Sequence, residues 1–245
     1  MPIVDLSLPI NNKMLGIPTL KRYSDNPTRC VVLSVYGDDH RAQLEADGIE
    51  ISPDAETGHS TMSRLEIVTH VGTHIDAPVH FLEGSTTIDN VPLERIVKQG
   101  RIIPLTDTPP YSPVTAEMVL ATGVEFDDSV IPVLHTGWTD RTWGTETFWH
   151  DMIYLDTSAA ELMVERGVSA VAIDFFPEKP FWRMGRPKTG SMGPNHVTLL
   201  GNNTIIIQML TNIAAIGSDE FTLVAAPLRL EGMDGSPARV FAIVE

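Results

Sequence analysis

Val130-Ile-Pro-Val-Leu-His135, then Thr157-Ser-Ala-Ala-Glu-Leu-Met-Val-Glu-Arg-Gly167, then Ala170-Val-Ala-Ile-Asp174: this stretch decides the fold class. The first and third segments are short, apolar and rich in β-branched residues, as buried strands are. Between them the apolar residues recur at helical spacing, which predicts a helix over Ser158–Arg166. Ser158 and Glu161 form a capping box, with Thr157 as a competing cap, and Gly167 stands where a left-handed residue ends a helix. A strand, a capped helix and a second strand in this order make a crossover unit, so the two strands run parallel.

Working outward, further strands are expected at Ile3–Leu6, Val31–Tyr36, Leu65–Val68, Arg101–Leu105, Thr204–Gln208, Phe221–Ala225 and Arg239–Val244. Helices are expected at Asp39–Ala46, Leu93–Lys98 and Thr115–Thr122. Several of these strands follow one another without helices, which predicts an α/β fold with a mixed sheet. With 245 residues, no repeat and no clear linker, one domain over 1–245 is expected.

Composition narrows the class of function. Seventeen Lys and Arg stand against 32 Asp and Glu, a formal charge of −15, so nucleic acid is not an expected partner. The longest apolar runs fall short of the roughly 18 residues of a membrane span, and the first residues carry no basic-then-apolar secretory pattern. Cys30 is the single cysteine and cannot form an internal disulfide, which suits a cytoplasmic protein.

The chemistry concentrates in His70-Val-Gly-Thr-His74-Ile-Asp76-Ala-Pro-Val-His80. A core strand has no use for three histidines and an aspartate at even offsets, because each buried polar group needs a partner. On a helix Asp76 would point away from His74, and Pro78 would break the helix. On a straight strand His70 and His74 would stand about 13 Å apart, too far for one ion. The chain is therefore expected to fold back at Gly72 and Thr73, with His74 and Asp76 on one face of a short extended segment. Two imidazoles and a carboxylate then surround a divalent cation that keeps an open position for water. Ala77-Pro78 carries His80 to the pocket wall, as a further ligand or, the reading preferred here, a general acid/base.

Other candidates are weaker taken alone. His196 starts an apolar run after Pro194 and is a site histidine or a helix-capping one. Gln208 ends a β-rich run. Phe175–Asn195 gathers Lys179, Arg183, Arg186 and Lys188 against one acid, Glu178, and is read as a cover that draws in an anionic substrate or steadies a product carboxylate. Trp138, Trp143, Trp149 and Trp182 are candidates for an aromatic pocket. His135 is assigned to packing and His40, His59 and His150 to the surface, while Gly232–Pro237 reads as a turn without chemistry.

HVGTHIDAPVHF resembles the HxGTHxDxPxH signature of the cyclase-type metal-dependent hydrolases, which include bacterial kynurenine formamidases and isatin hydrolases. IVDLSLPI, LHTGW, AIDFFPE, NHVTLL and APLRLEGMDGSPARVFAI extend the likeness over most of the chain. The resemblance implies a swivelling β/β/α fold, a homodimer or larger assembly, and hydrolysis of a small-molecule amide or cyclic amide. It makes His70, His74 and Asp76 the metal ligands and His80 the acid/base. In two-zinc formamidases the counterparts of His196 and Asp76 hold a second ion together with a glutamate, and Gln208 stands where that glutamate would. A neutral amide attracts a cation less than a carboxylate does, so one ion is expected. Gln at this place is also similar to the isatin hydrolase branch, which favours manganese, with zinc as the other candidate. The expected activity is hydrolysis of an isatin-like cyclic amide; alternatives are a kynurenine formamidase, a polyketide cyclase on the same scaffold, and a metal binder without catalysis.

Overall fold

Strand β4, His74–Asp76, is three residues long, yet it closes the sheet that dominates the molecule. The computed structural model describes residues 1–18, 28–32, 38–53, 62–184 and 191–244. In chain order the other strands are β1 Ile3–Asp5, β2 Thr28–Val32, β3 Ser63–Ile67, β5 Val97–Pro104, β6 Pro113–Val114, β7 Val130–His135, β8 Tyr154–Leu155, β9 Ala170–Ile173, β10 Ile205–Gln208, β11 Phe221–Pro227 and β12 Gly235–Val244. The main sheet runs β1-β12-β11-β5-β7-β9-β10-β4, and β4 also pairs with β12, so seven strands form a closed barrel with β1 added outside β12. The pairs β5–β7, β7–β9 and β9–β10 are parallel, and the remaining pairs of this sheet are antiparallel. The expected mixed α/β architecture is present.

Side-chain alternation divides the core into two layers. Ile131 and Val133 of β7, Ala170 and Ala172 of β9, and Ile205 and Ile207 of β10 join Phe221 and Leu223 in the barrel interior. Their alternates Leu134, Val171, Ile173 and Ile206 face outward, under helices Thr157–Glu165 and Pro194–Gly201. Each large apolar side chain so buried contributes about 1.5–3 kcal/mol, with helices covering the outer face.

The crossover after β7 agrees with the sequence in all but its cap. Helix Thr157–Glu165 ends as expected: Gly167 has φ 70°, its N–H donates to Val164 O, and Val168 N–H donates to Met163 O. Its cap is Asp156, not Ser158 or Thr157. The Asp156 carboxylate accepts from Ser158 N (3.0 Å) and Ser158 Oγ (2.6 Å), while Ser158 Oγ accepts from Ala116 N (3.2 Å). A charged acceptor held in extended backbone outcompetes the hydroxyls that follow it.

Other differences follow from pairing. The helix expected over Leu93–Lys98 is a single 3-10 turn, Leu93–Arg95, because β5 already begins at Val97 and Val97–Gly100 pair with β11. The strand expected at Val31–Tyr36 lies earlier, at Thr28–Val32, and residues 33–37 fall outside the described ones, as do His59, Arg186 and Lys188. Strand β12 begins at Gly235 rather than Arg239, since its first residues pair with β4.

Candidate metal centre and its cavity

The fold-back expected between His70 and His74 is present. Gly72 adopts φ 61°, a left-handed conformation open to glycine at little cost. Thr73 fastens the turn: its Oγ1 accepts from Leu8 N (2.9 Å) and donates to Met209 O (2.7 Å). On β4 the alternation sends Ile75 into the barrel and His74 and Asp76 outward. Register places Gln208 of β10 opposite His74, and Gly235 of β12 opposite Asp76. The site therefore sits between the barrel's outer face and helix Pro194–Gly201, which carries His196.

Asp76 is the hub. Its Oδ1 lies 2.7 Å from His70 Nδ1 and 3.3 Å from His74 Nε2, and its Oδ2 lies 3.3 Å from His196 Nε2. Gln208 donates an amide N–H to the same Oδ2, and its own buried Oε1 has no partner among the described residues. Burial raises the pKa of Asp76, but the His70 charge and the bonds from His196 and His70 outweigh it and hold the carboxyl well below its ordinary range. For His70, burial favours the neutral ring, yet the Asp76 charge and bonds to Asp234 and Asp76 bring its pKa to about 9. His196 likewise reaches about 9, against burial, through Asp76 and Glu178.

His80 stands at the end of the 3-10 turn Pro78–His80, begun by the proline after Ala77. Its ring stacks on His70 with centroids 3.8 Å apart, and Phe81 stacks on His196 at 4.7 Å. Burial pulls the His80 pKa below its ordinary value, keeping the ring neutral and able to accept a proton. His70, His80 and His196 all border a cavity of about 280 Å³ whose other walls include Val68, Val71, Phe81, Phe176 and Phe181.

Two acids escaped the sequence reading. Asp234 belongs to the turn that carried no expected chemistry, yet its Oδ2 lies 2.8 Å from His70 Nε2 and 3.3 Å from His80 Nδ1. Buried Glu178 accepts from His196 N at 2.9 Å and meets His196 Nδ1 at 2.7 Å through Oε1. The alternation Asp-Gly-Ser-Pro at 234–237, like Glu178 eighteen residues before His196, gives no local periodic signal; only the barrel brings them to the site. The tryptophans do not border the cavity. Trp138 donates to Phe148 O and Trp182 to Trp149 O, and Trp149 and Trp182 pack against Phe176, which does. Arg183 donates to His150 O (2.8 Å) and to Asp151, with its guanidinium 4.2 Å above the Tyr111 ring, and it is not among the cavity's lining residues.

The donors fit a divalent cation. His74 Nδ1 bonds Gly72 O at 2.7 Å, so this nitrogen carries the proton and Nε2 turns its lone pair toward Asp76. One ligand atom from each of His70, His74 and Asp76 lies within 4.8 Å of the others. The 2.7–3.3 Å separations are close to the roughly 3.3 Å edge of a tetrahedron with bonds near 2.0–2.1 Å.

The chain is similar to known proteins over most of its length. The Cyclase family model matches residues 4–177. A kynurenine formamidase of Geobacillus thermodenitrificans is 30% identical over 187 residues, spanning 76% of this chain and 81% of the relative. Cyclase-like protein 3 of Oryza sativa subsp. japonica is 29% identical, over 74% of this chain and 65% of the relative. In fold, isatin hydrolase A from Ralstonia solanacearum superposes with a TM-score of 0.77 over 100% of this chain and 92% of that one, at 20% identity. The chain belongs to the cyclase family of hydrolases.

Proposed function

We infer that the protein is a metal-dependent hydrolase of amide or cyclic amide bonds. The observation that carries this reading is the convergence of His70, His74 and Asp76 beside a neutral His80 at the wall of one cavity. A divalent cation held by those three ligands would act as a Lewis acid on a carbonyl and acidify water. His80 takes a proton from the attacking water and returns it to the departing nitrogen. Phe81, Phe176 and Phe181 hold an aromatic ring and exclude water from that transfer. His196, bonded to a carboxylate at each ring nitrogen, is a proton donor rather than a base.

One ion is favoured. Gln208 and His196 both direct donors at Asp76 Oδ2, the oxygen a second cation would need, and Gln208 brings no negative charge to offset one. A site of two imidazoles and one carboxylate with open positions suits manganese, with zinc the alternative. Among the described residues lining the cavity there is no lysine or arginine, while Glu178 and Asp234 are acidic. With no lysine or arginine there to meet the carboxylate of N-formylkynurenine, the lining favours a neutral flat lactam of the isatin kind. Hydrolysis of a lactam leaves a carboxylate, and Arg183 and Arg186 are assigned to attracting such an anion from outside the cavity, since Arg183 is bonded to Asp151 and His150 O and is not a lining residue. No helix of the described residues is long and apolar enough to cross a membrane, and Cys30 is free and exposed. A cytoplasmic homodimer or larger assembly fits these features, with Ile3, Leu65 and Leu228 exposed for an interface.

The test is turnover of a panel of lactams, formamides and esters by the manganese- or zinc-loaded protein. Hydrolysis of a lactam is expected, and His80→Ala should retain metal while losing about 10²–10⁴-fold in kcat. Binding of metal with no turnover of any member would leave only a metal binder. Replacing Arg183 and Arg186 with Gln should raise KM several-fold for an anionic substrate and leave a neutral lactam unaffected; an unchanged KM for the anion removes the steering role.

A further inference from the structure

We propose that Asp234 is a positioning residue that sets the tautomers of His70 and His80 together through one carboxylate oxygen. This rests on the reading in which His70 holds the metal and His80 moves the proton. Asp234 Oδ2 lies 2.8 Å from His70 Nε2 and 3.3 Å from His80 Nδ1. An ionised carboxylate only accepts hydrogen bonds, so the nitrogen that each ring turns toward it carries the proton. His70 is then left with Nδ1, 2.7 Å from Asp76 Oδ1 and on the side of His74 Nε2, as the nitrogen that would give up its proton to a cation. His80 is left with its lone pair on Nε2, the nitrogen away from Asp234. The two rings thus use opposite nitrogens against the same oxygen. Their stacking, with centroids 3.8 Å apart and planes 26° apart, makes that arrangement possible. With the tautomers reversed, His70 would aim a proton at the ligand set and His80 would hide its lone pair against Asp234.

The turn around Asp234 is held independently of that side chain. Ala77 N–H donates to Asp234 O (2.9 Å), Ile88 N–H to Met233 O (3.0 Å) and Gly232 N–H to Asp89 Oδ1 (3.0 Å). Thr69 Oγ1 donates to Asp234 Oδ1 at 3.1 Å, which orients the carboxylate so that Oδ2 faces the rings. Gly235 lets the strand approach: a Cβ there would come within 2.6 Å of His70 Cε1. Backbone anchors, an oriented acceptor and a close approach converge on the same two histidines.

The decisive experiment uses the zinc-loaded, diamagnetic protein, isotope-labelled in its histidines, in four forms: unsubstituted, Asp234→Ala, Asp234→Asn and His80→Ala/Asp234→Ala, beside His80→Ala. Imidazole nitrogen shifts should show His80 protonated at Nδ1 in the unsubstituted protein and moved toward the Nε2–H form in Asp234→Ala. Chelator competition should show zinc held about 10–100-fold less tightly by Asp234→Ala, with the isosteric Asp234→Asn between the two. On a lactam substrate, Asp234→Ala should lower kcat by a comparable factor, and by clearly less in the His80→Ala background, where only the part exerted through His70 remains. An unchanged His80 tautomer with unchanged zinc affinity overturns the proposal, and so does an equal loss of kcat in both backgrounds. If no amide is hydrolysed by the unsubstituted protein, the functional reading fails, while the nitrogen shifts and zinc affinity still decide the role of Asp234.

Discussion

Asp174 shows how a single buried group sets a pH dependence. It ends the run Ala170–Asp174, is 1% exposed, and accepts from Thr136 N, Thr136 Oγ1 and Gly137 N. Burial nonetheless raises its pKa from 3.8 to about 6. A carboxyl with a raised folded-state pKa binds its proton more tightly when folded, so its contribution to stability falls as pH climbs from about 4 to about 6. The stability difference between the unsubstituted protein and Asp174→Asn should therefore shrink across that window by on the order of 2–3 kcal/mol, read from urea melts at each pH. A flat difference would remove this titration. At the site itself, Gly235→Ala should displace His70, costing about 1–3 kcal/mol in stability and weakening metal binding; melts and chelator competition check both. His70, His74, Asp76 and His80 were legible because their spacing is local and only one turn satisfies it. Asp234 was not: 164 residues separate it from His70, and a turn sequence does not announce what it touches.

Elements were legible where the pattern is self-contained. The helix Thr157–Glu165 has its amphipathic face and its Gly167 stop in one short stretch, and both appear in the structure. Its start was misjudged because three adjacent residues could all cap, and the choice depends on backbone conformation at Asp156 (φ −77°, ψ 149°). Asp156→Ala should cost about 1 kcal/mol, more than Thr157→Ala, in chemical denaturation; equal effects would contradict the assigned cap. Leu93–Lys98 failed for a different reason. Its residues carry helical propensity, but Lys98 pairs with Leu223 and Val97 with Val224, and sheet pairing overrides a weak local preference. Strand β4 reads as a three-residue fragment in sequence and becomes structural only through partners on both sides.

At the scale of the whole molecule, that fragment both closes the barrel and carries two of the three proposed metal ligands. Metal occupancy and folding are then coupled, since an unfolded chain offers no convergent site. Metal at about 1,000 times its Kd adds about 4 kcal/mol, which for a chain of this size raises Tm by on the order of 10 °C. Stripping it with a chelator should lower Tm by that amount, and His74→Ala should abolish the response; an equal shift in both proteins would place the ion elsewhere. The direct measurement of the central claim is elemental analysis of the protein purified without added metal. One divalent ion per chain, lost in His74→Ala, is the expected result. A content near zero even after incubation with manganese or zinc would contradict the metal centre, and two ions per chain would contradict the role given to Gln208.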